Sequence, residues 1–384
     1  MGLLTFKGGI HPDDGKRFSK DSEIRTLLPK GELAYPLSQH IGAPANPIVK
    51  KGDHVLKGQK IAEAGGFVSS PIHASVSGTV KGIEYRFNPA GTKTECIIIE
   101  NDGEYAEIND LTVKPFGEMT REEIIERIGE AGIVGMGGAG FPTRVKLSPK
   151  EPEKIEYIIA NCAECEPLLK LHRQLLEKHA YEIMKTFHMI QETVGASEAI
   201  IGIKKSYVQT IHALNQHIEE FPGMRLHLLD EVYPMGDEVV LIYEATGRVV
   251  RPGGLPIEQG VAVFNVETVY NVYRAVEEKQ PVTDKYVSVV AEVSDPVTVR
   301  VPLGCTLEEV VAQAGSTTVK DHVYFVGGPM MGRIGNGSDS VTKTTNAILV
   351  LPKDHLIVAK KQRTSSIDLK RAASICCQCN TCTD

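Results

Sequence analysis

Gly135-Met136-Gly137-Gly138-Ala139-Gly140-Phe141-Pro142-Thr143 is the stretch around which this chain is organised. Four glycines in six positions, entered from Ile133-Val134 and left through Phe-Pro-Thr, hold backbone close to something other than protein. Glycine has no Cβ and tolerates positive φ, so successive amide N–H groups converge on an anion such as a phosphate. Alone, such a string is as often a tight turn without a ligand. It is followed by Asn161-Cys162-Ala163-Glu164-Cys165-Glu166-Pro167, by Tyr233-Pro234-Met235-Gly236-Asp237-Glu238 and by Asn265-Val266-Glu267-Thr268. Carboxylates and amides recurring at predicted strand ends point to one polar site around the loop.

The flanking pattern gives the fold class. Ile155–Ala160 reads as a strand ending at Asn161, followed by a long amphipathic helix with Leu175, Leu176, Ile183, Met184, Phe187, Ile190 and Val194 on one face. Ala199–Ile203 is a second strand, Tyr207–Glu220 a second helix and Met224–Leu229 a third strand. That alternation predicts a parallel sheet with crossover helices, whose ligands sit beyond the carboxyl ends of the strands. Upstream, Thr120 and Glu123 form a capping box that opens the helix leading into the glycine loop.

A chain of 384 residues predicts two to four domains, here an α/β multidomain protein. Residues 1–115 are β-rich, with hairpin chemistry at Gly52-Asp53 and Lys57-Gly58 and a second such unit over Ser70–Val80. The pair resembles a biotinyl or lipoyl barrel-sandwich (hammerhead) domain. Those domains carry a modified lysine where this chain has Ala74-Ser75-Val76, so the scaffold is expected without a swinging arm. Residues 116–280 form the α/β domain, and 281–335 a small β-grasp module of the SLBB type. Residues 336–370 are expected to connect, with one apolar strand at Ala347–Leu351, and 371–384 to begin a ferredoxin-like segment. His11, His40 and His73 are read as surface or packing histidines rather than a metal trio.

The net charge of −7 and the absence of a basic block exclude a nucleic-acid binder. No run of eighteen apolar residues spans a membrane, and Met1–Lys7 lacks the apolar core of a signal peptide. Cysteines crowd the last nine residues, which suits metal binding in a reducing compartment. Cys376-x2-Cys379-x2-Cys382 is three-quarters of the C-x2-C-x2-C-x3-C run that ligates a [4Fe–4S] cluster. A fourth cysteine is expected two residues beyond Asp384, so the ligand set is read as incomplete and the chain as a fragment. Cys377 falls outside the spacing.

With these strings in order, and with Phe6-Lys7-Gly8-Gly9-Ile10-His11-Pro12 and Gln39-His40-Ile41-Gly42 before them, the chain resembles the C subunit of the Rnf electron-transport complex over nearly its whole length. Its centre is also similar to the flavoprotein subunit of respiratory complex I, which binds FMN and oxidises NADH. The resemblance implies a Rossmann-like FMN/NADH domain in which Gly135, Gly137, Gly138, Lys146, Asn161, Glu164, Tyr233, Gly236, Asp237, Asn265 and Thr268 line the flavin pocket. Phe141, Glu166 and Glu238 would face the nicotinamide nucleotide. Ala163 stands where the family usually has aspartate, which removes one contact. The implied function is electron transfer between NAD(H), FMN and iron–sulfur clusters, with hydride transfer achieved by positioning rather than by a catalytic acid or base. Ferredoxin or another carrier and membrane-embedded subunits are the implied partners, and the implied location is the cytoplasm or the cytoplasmic face of the cell membrane. The cysteine tail is also similar to tails of soluble relatives, the cobalamin reductase of propanediol microcompartments and a proline reductase-linked protein. A non-catalytic docking scaffold is the alternative from a different class.

Overall fold

The computed structural model describes residues 9–16, 23–87, 92–108, 114–149, 151 and 154–378. Four β-sheets and two groups of helices are built from them. The first two sheets share one core. One runs in the order Glu32–Pro36, Lys93–Asn101, Gly78–Phe87, His54–Val55, and the other in the order Asn46–Pro47, Lys60–Glu63, Ile72–His73. Tyr35, Val55, Ile61, Ile72, Val80, Ile97 and Ile99 are buried between them. Gly52 and Gly58 adopt the positive φ that tight turns require. The strands joined there do not form a local hairpin, however. His54–Val55 pairs with Gly78–Phe87, whereas Lys60–Glu63 pairs with the other sheet, so the turn at Gly58 carries the chain from one sheet to the other.

The capping box appears as read: Thr120 Oγ1 accepts from Glu123 N at 3.3 Å and Glu123 Oε2 accepts from Thr120 N at 2.8 Å, opening the helix Arg121–Glu130. The central sheet is parallel, in the order Met224–Leu229, Glu198–Lys204, Tyr157–Cys162, Val261–Asn265. The amphipathic helix expected after Asn161 is broken. It runs as Leu171–Lys178 and Ala180–Val194, with His179 between them in a non-helical conformation. The His179 ring stacks on Tyr270 with centroids 4.6 Å apart, and that contact is invisible to periodicity.

The third region is a six-stranded mixed sheet in the order Ile24–Thr26, Val297–Pro302, Asp284–Ala291, Ala347–Pro352, His322–Val326, Arg333–Gly335. Two of its strands come from outside residues 281–335. Ile24–Thr26 forms one edge, parallel to Val297–Pro302, and Ala347–Pro352 lies in the middle, where a connection was expected. Five successive buried residues in Ala347–Pro352 explain its place, since a strand apolar on both faces needs cover on both. Two buried ion pairs fasten this sheet to the central domain. Glu267 pairs with Lys285 and also accepts from Tyr286 N at 3.0 Å, and Arg274 holds Asp284 through two bonds of 2.8 and 2.9 Å. The described chain ends in an exposed helix, Ser365–Ile375, that buries no residue.

Candidate functional site

The glycine loop is pinched at its base. Gly135 N–H donates to Phe141 O at 2.9 Å, and Thr143 N–H donates to Ile133 O at 3.0 Å. Thr268 clamps the entering limb, its hydroxyl accepting from Met136 N at 3.0 Å and donating to Val134 O at 3.2 Å. Beyond the pinch, Gly137, Gly138 and Ala139 are exposed. Only Gly140 in this loop has positive φ, at 73°. The other glycines therefore answer to space rather than to conformation. A Cβ on Gly137 would lie 2.5 Å from Asn265 Nδ2, whereas a Cβ on Gly138 would meet nothing within 4 Å.

Asn265 ends one central strand and caps the helix Val266–Val276, its Oδ1 accepting from Glu267 N at 2.9 Å and Thr268 N at 3.3 Å. Its Nδ2 lies 3.0 Å from His172 Nε2. Asn161 is the penultimate residue of the neighbouring strand and the register partner of Asn265, so the two amides stand side by side at the carboxyl edge. Asn161 Nδ2 donates to Gly236 O at 2.8 Å, which ties the strand end to the turn before the helix Glu238–Thr246. Asp237 caps that helix through Val239 N and Val240 N. Gly236 is wedged there: a Cβ on it would lie 2.8 Å from Cys165 Sγ and 3.1 Å from the Ala163 Cβ. The alanine at 163 thus packs under the turn. Tyr233 forms a two-way backbone bridge with Ile10, each bond 2.9 Å.

Lys146 sits on the short helix Thr143–Lys146, donating to Val263 O at 2.5 Å and lying 3.9 Å from Glu238 Oε1. Burial lowers its pKa, and Glu238 opposes the shift. Phe141 is 37% exposed on the outgoing limb. Glycines 135, 137 and 138 with Phe141, Lys146, Asn265 and Thr268 therefore gather about the loop and one strand end, and Asn161, Tyr233, Gly236, Asp237 and Glu238 about the neighbouring strand end and turn.

Two predicted residues are engaged elsewhere. Glu164 is buried with φ of 42°; its Oε1 accepts from His172 N at 2.9 Å, and its Oε2 lies 3.7 Å from Lys16 and 3.8 Å from Arg173. Glu166 accepts from Met330 N and Met331 N, each at 2.9 Å, so its carboxylate grips the turn of the six-stranded sheet. His172 was not foreseen. It is buried, it supports Asn265, and its Nδ1 has no hydrogen-bond partner among the described residues. Burial lowers its pKa and so favours the neutral ring. A histidine in an amphipathic helix carries no sequence signal for this role.

Of the cysteine tail, Cys376 is exposed and Cys377 likewise, while Cys379 and Cys382 lie outside the described residues. Among the described residues no cluster of three or more His, Cys, Asp or Glu side chains is arranged to hold a metal, and no helix is long and apolar enough to cross a membrane.

Comparison with known proteins accords with this geometry. Residues 128–274 match the Nuo51 FMN-binding domain, and residues 4–104 match the RnfC barrel sandwich hybrid domain. The chain is 36% identical over 364 residues to the C subunit of the Na(+)-translocating ferredoxin:NAD(+) oxidoreductase complex of Acetobacterium woodii, covering 92% of this chain and 81% of that protein. It is 44% identical over 267 residues to the cobalamin reductase PduS of Salmonella typhimurium, covering 69% of this chain and 58% of that protein. With the C subunit of the ion-translocating oxidoreductase complex of Haemophilus influenzae (strain PittEE) it shares 31% identity, and it spans 58% of that relative's length. In fold it is similar to a chain of an NAD+-reducing [NiFe]-hydrogenase, with a TM-score of 0.53 and 23% identity over 63% of this chain and 48% of that one. An FMN-binding domain built behind a barrel-sandwich domain, in this order and at these identities, means that the chain belongs to the RnfC family, that of the C subunit of Rnf complexes.

Proposed function

We propose that this chain is the NAD-facing flavin subunit of a ferredoxin:NAD oxidoreductase, moving electrons between NAD(H), FMN and iron–sulfur clusters. The observation that carries this reading is the exposed limb Gly137–Ala139 beside the register-paired Asn161 and Asn265. The residues fit the flavin: the limb is free of bulky side chains, a Cβ at Gly137 would collide with Asn265, and the space over Gly138 is open. Bound there, FMN supplies a two-electron carrier that exchanges a hydride with a nicotinamide and passes electrons on singly.

In this reading the amides of Gly137 and Gly138 would hold the flavin phosphate, and Lys146 would supply positive charge to it. Asn161 and Asn265 would orient the flavin's polar edge, while Thr268 and Asp237 fix the loop and the neighbouring turn through the bonds described above. Phe141, exposed on the loop's outer limb, offers an aromatic face to a nicotinamide nucleotide, and Glu238 offers a carboxylate. Glu164 and Glu166 are assigned to the margins of the flavin and nucleotide sites, where they also hold His172 N and the Met330–Met331 turn. Cys376, Cys379 and Cys382 are assigned to a [4Fe–4S] cluster on their spacing. The six-stranded sheet with its helix Leu307–Val311 supports the β-grasp reading, widened to include Ile24–Thr26 and Ala347–Pro352. Ferredoxin or a related carrier and membrane-embedded subunits are the proposed partners, placing the chain on the cytoplasmic face of the membrane.

A soluble NADH-dependent electron donor is the second reading, favoured by the 44% identity to a cobalamin reductase. The experiment common to both is an absorbance spectrum after FMN loading and desalting, followed by anaerobic NADH. Retained flavin that bleaches with NADH supports the proposal; a folded chain that retains none overturns it. Recovery with the membrane fraction of the native organism, or with the soluble fraction, separates the two readings.

A further inference from the structure

Lys343 lies far from the glycine loop in sequence and directly behind it in space. Its side chain is fully buried, and its Nζ donates to Gly132 O at 2.7 Å, Pro71 O at 2.6 Å and Ser70 Oγ at 3.2 Å. Three N–H bonds meet three acceptors, which is the geometry of a protonated ammonium. Gly132 begins the limb that enters the loop, whereas Ser70 and Pro71 belong to the barrel-sandwich. The neighbouring residues brace the other limb. The Thr344 Cγ2 and His40 Cα sit 2.9 and 3.0 Å from where a Cβ on Gly140 would be, and Ile41 N–H donates to Ala139 O at 2.9 Å. Lys343 N–H itself donates to Gln39 Oε1 at 3.1 Å.

We infer that Lys343 is a positioning residue for the flavin cradle, fixing the glycine loop from behind by tying Gly132 to the barrel-sandwich. The inference rests on the flavin reading of the loop. An apolar side chain would fill this space at less cost, because a buried cation without a carboxylate partner is expensive. Burial alone accounts for the downward shift of its pKa, to about 7, so no anion offsets that cost. What the ammonium provides, and a methyl group does not, is three directed bonds to three points around the loop's root.

The test compares the full-length chain with Lys343→Met and with the milder Ser70→Ala. FMN affinity is read by fluorescence titration, apo-protein stability by thermal unfolding, and hydrogen exchange at the amides of 132–143 by mass spectrometry. Expected for Lys343→Met is an FMN dissociation constant weaker by about tenfold, the equivalent of one or two hydrogen bonds, with faster exchange at Gly135–Ala139. Ser70→Ala, which removes one acceptor, shows the same changes in smaller measure. Folded variants with unchanged FMN affinity and unchanged exchange overturn the inference, as does a loss of affinity matched by global unfolding of both variants. Should the unaltered chain retain no FMN, the flavin reading fails and the exchange data decide alone: faster loop exchange supports the tie and unchanged exchange refutes it. If Lys343→Met does not fold, Ser70→Ala carries the decision.

Discussion

Gly137→Ala and Gly138→Ala, adjacent and chemically identical changes, are expected to act on different properties. A Cβ at 137 would lie 2.5 Å from Asn265 Nδ2, so the asparagine must turn away. Turning it removes the cap of Val266–Val276, worth about 1 kcal/mol, and the contact with His172, worth about 1 kcal/mol more. A loss of about 2 kcal/mol lowers the melting temperature by roughly 4–8 °C for a domain of this size. Gly138 has open space and ordinary φ, so an alanine there changes apo stability by less than about 0.5 kcal/mol while filling the cradle and weakening FMN. The assay is thermal unfolding of the apo-protein beside FMN titration for both variants. A double-mutant cycle with Asn265→Ala isolates the cause, since Gly137→Ala should add little once Asn265 is gone. Equal melting temperatures for Gly137→Ala and the parent, or full additivity in the cycle, would refute the reasoning.

Three further outcomes follow from buried charge. Lys285→Met alone leaves the Glu267 carboxylate buried and unpaired and should cost about 3–5 kcal/mol in urea unfolding, whereas Glu267→Leu with Lys285→Met should recover most of that; equal losses would show that the pair is not coupled. Glu166→Ala releases Met330 N and Met331 N and should cost about 2 kcal/mol of stability, and a raised KM for NADH with no stability change would instead return Glu166 to the nucleotide site. Lys343, whose pKa is lowered from 10.5 to about 7, binds its proton less readily folded than unfolded, so its burial penalty is full below pH 7 and is relieved as pH rises toward 10.5. His40 and His73 lie beside Lys343 and are pushed below the usual histidine range by burial, so they titrate under this window, and the difference between the parent and Lys343→Met should rise across it; a flat difference contradicts the assignment.

The elements that local pattern controls were legible in the sequence. Thr120 and Glu123 announce their helix, strand and helix alternate from Tyr157 to Leu229 as periodicity requires, and Asn161 falls at the carboxyl end of its strand. What was not legible is non-local. Nothing in Ile24-Arg25-Thr26 says that it pairs with Val297–Pro302, and Ala347–Pro352 looks like any apolar strand until its two neighbours are known. The break at His179, whose ring stacks on Tyr270 across a helix interface, leaves no mark in the periodicity. The carboxylates were harder still. Glu164 and Glu166 sit two residues apart in a motif rich in ligand-binding chemistry, yet among their partners Lys16 and the Met330–Met331 turn come from distant parts of the chain.

The barrel-sandwich gains a reason to exist from these contacts. In carrier proteins of this fold the hairpin tip must be free, because it bears the modified lysine. Here the tip is closed: Ala74 and Val76 are fully buried, Ser75 Oγ donates to Leu303 O at 2.7 Å, and Tyr35 Oη lies 2.7 Å from the same hydroxyl. A tip docked on the six-stranded sheet cannot carry a swinging arm. Other segments of the same domain, Gln39–Ile41 and Ser70–Pro71, reach the root and both limbs of the glycine loop, directly or through Lys343. The domain is thus fixed at its tip and bears on the loop through other segments, the arrangement of a brace rather than a carrier. A loop of four glycines has the most backbone entropy to lose on ordering. External bracing therefore gains it preorganisation.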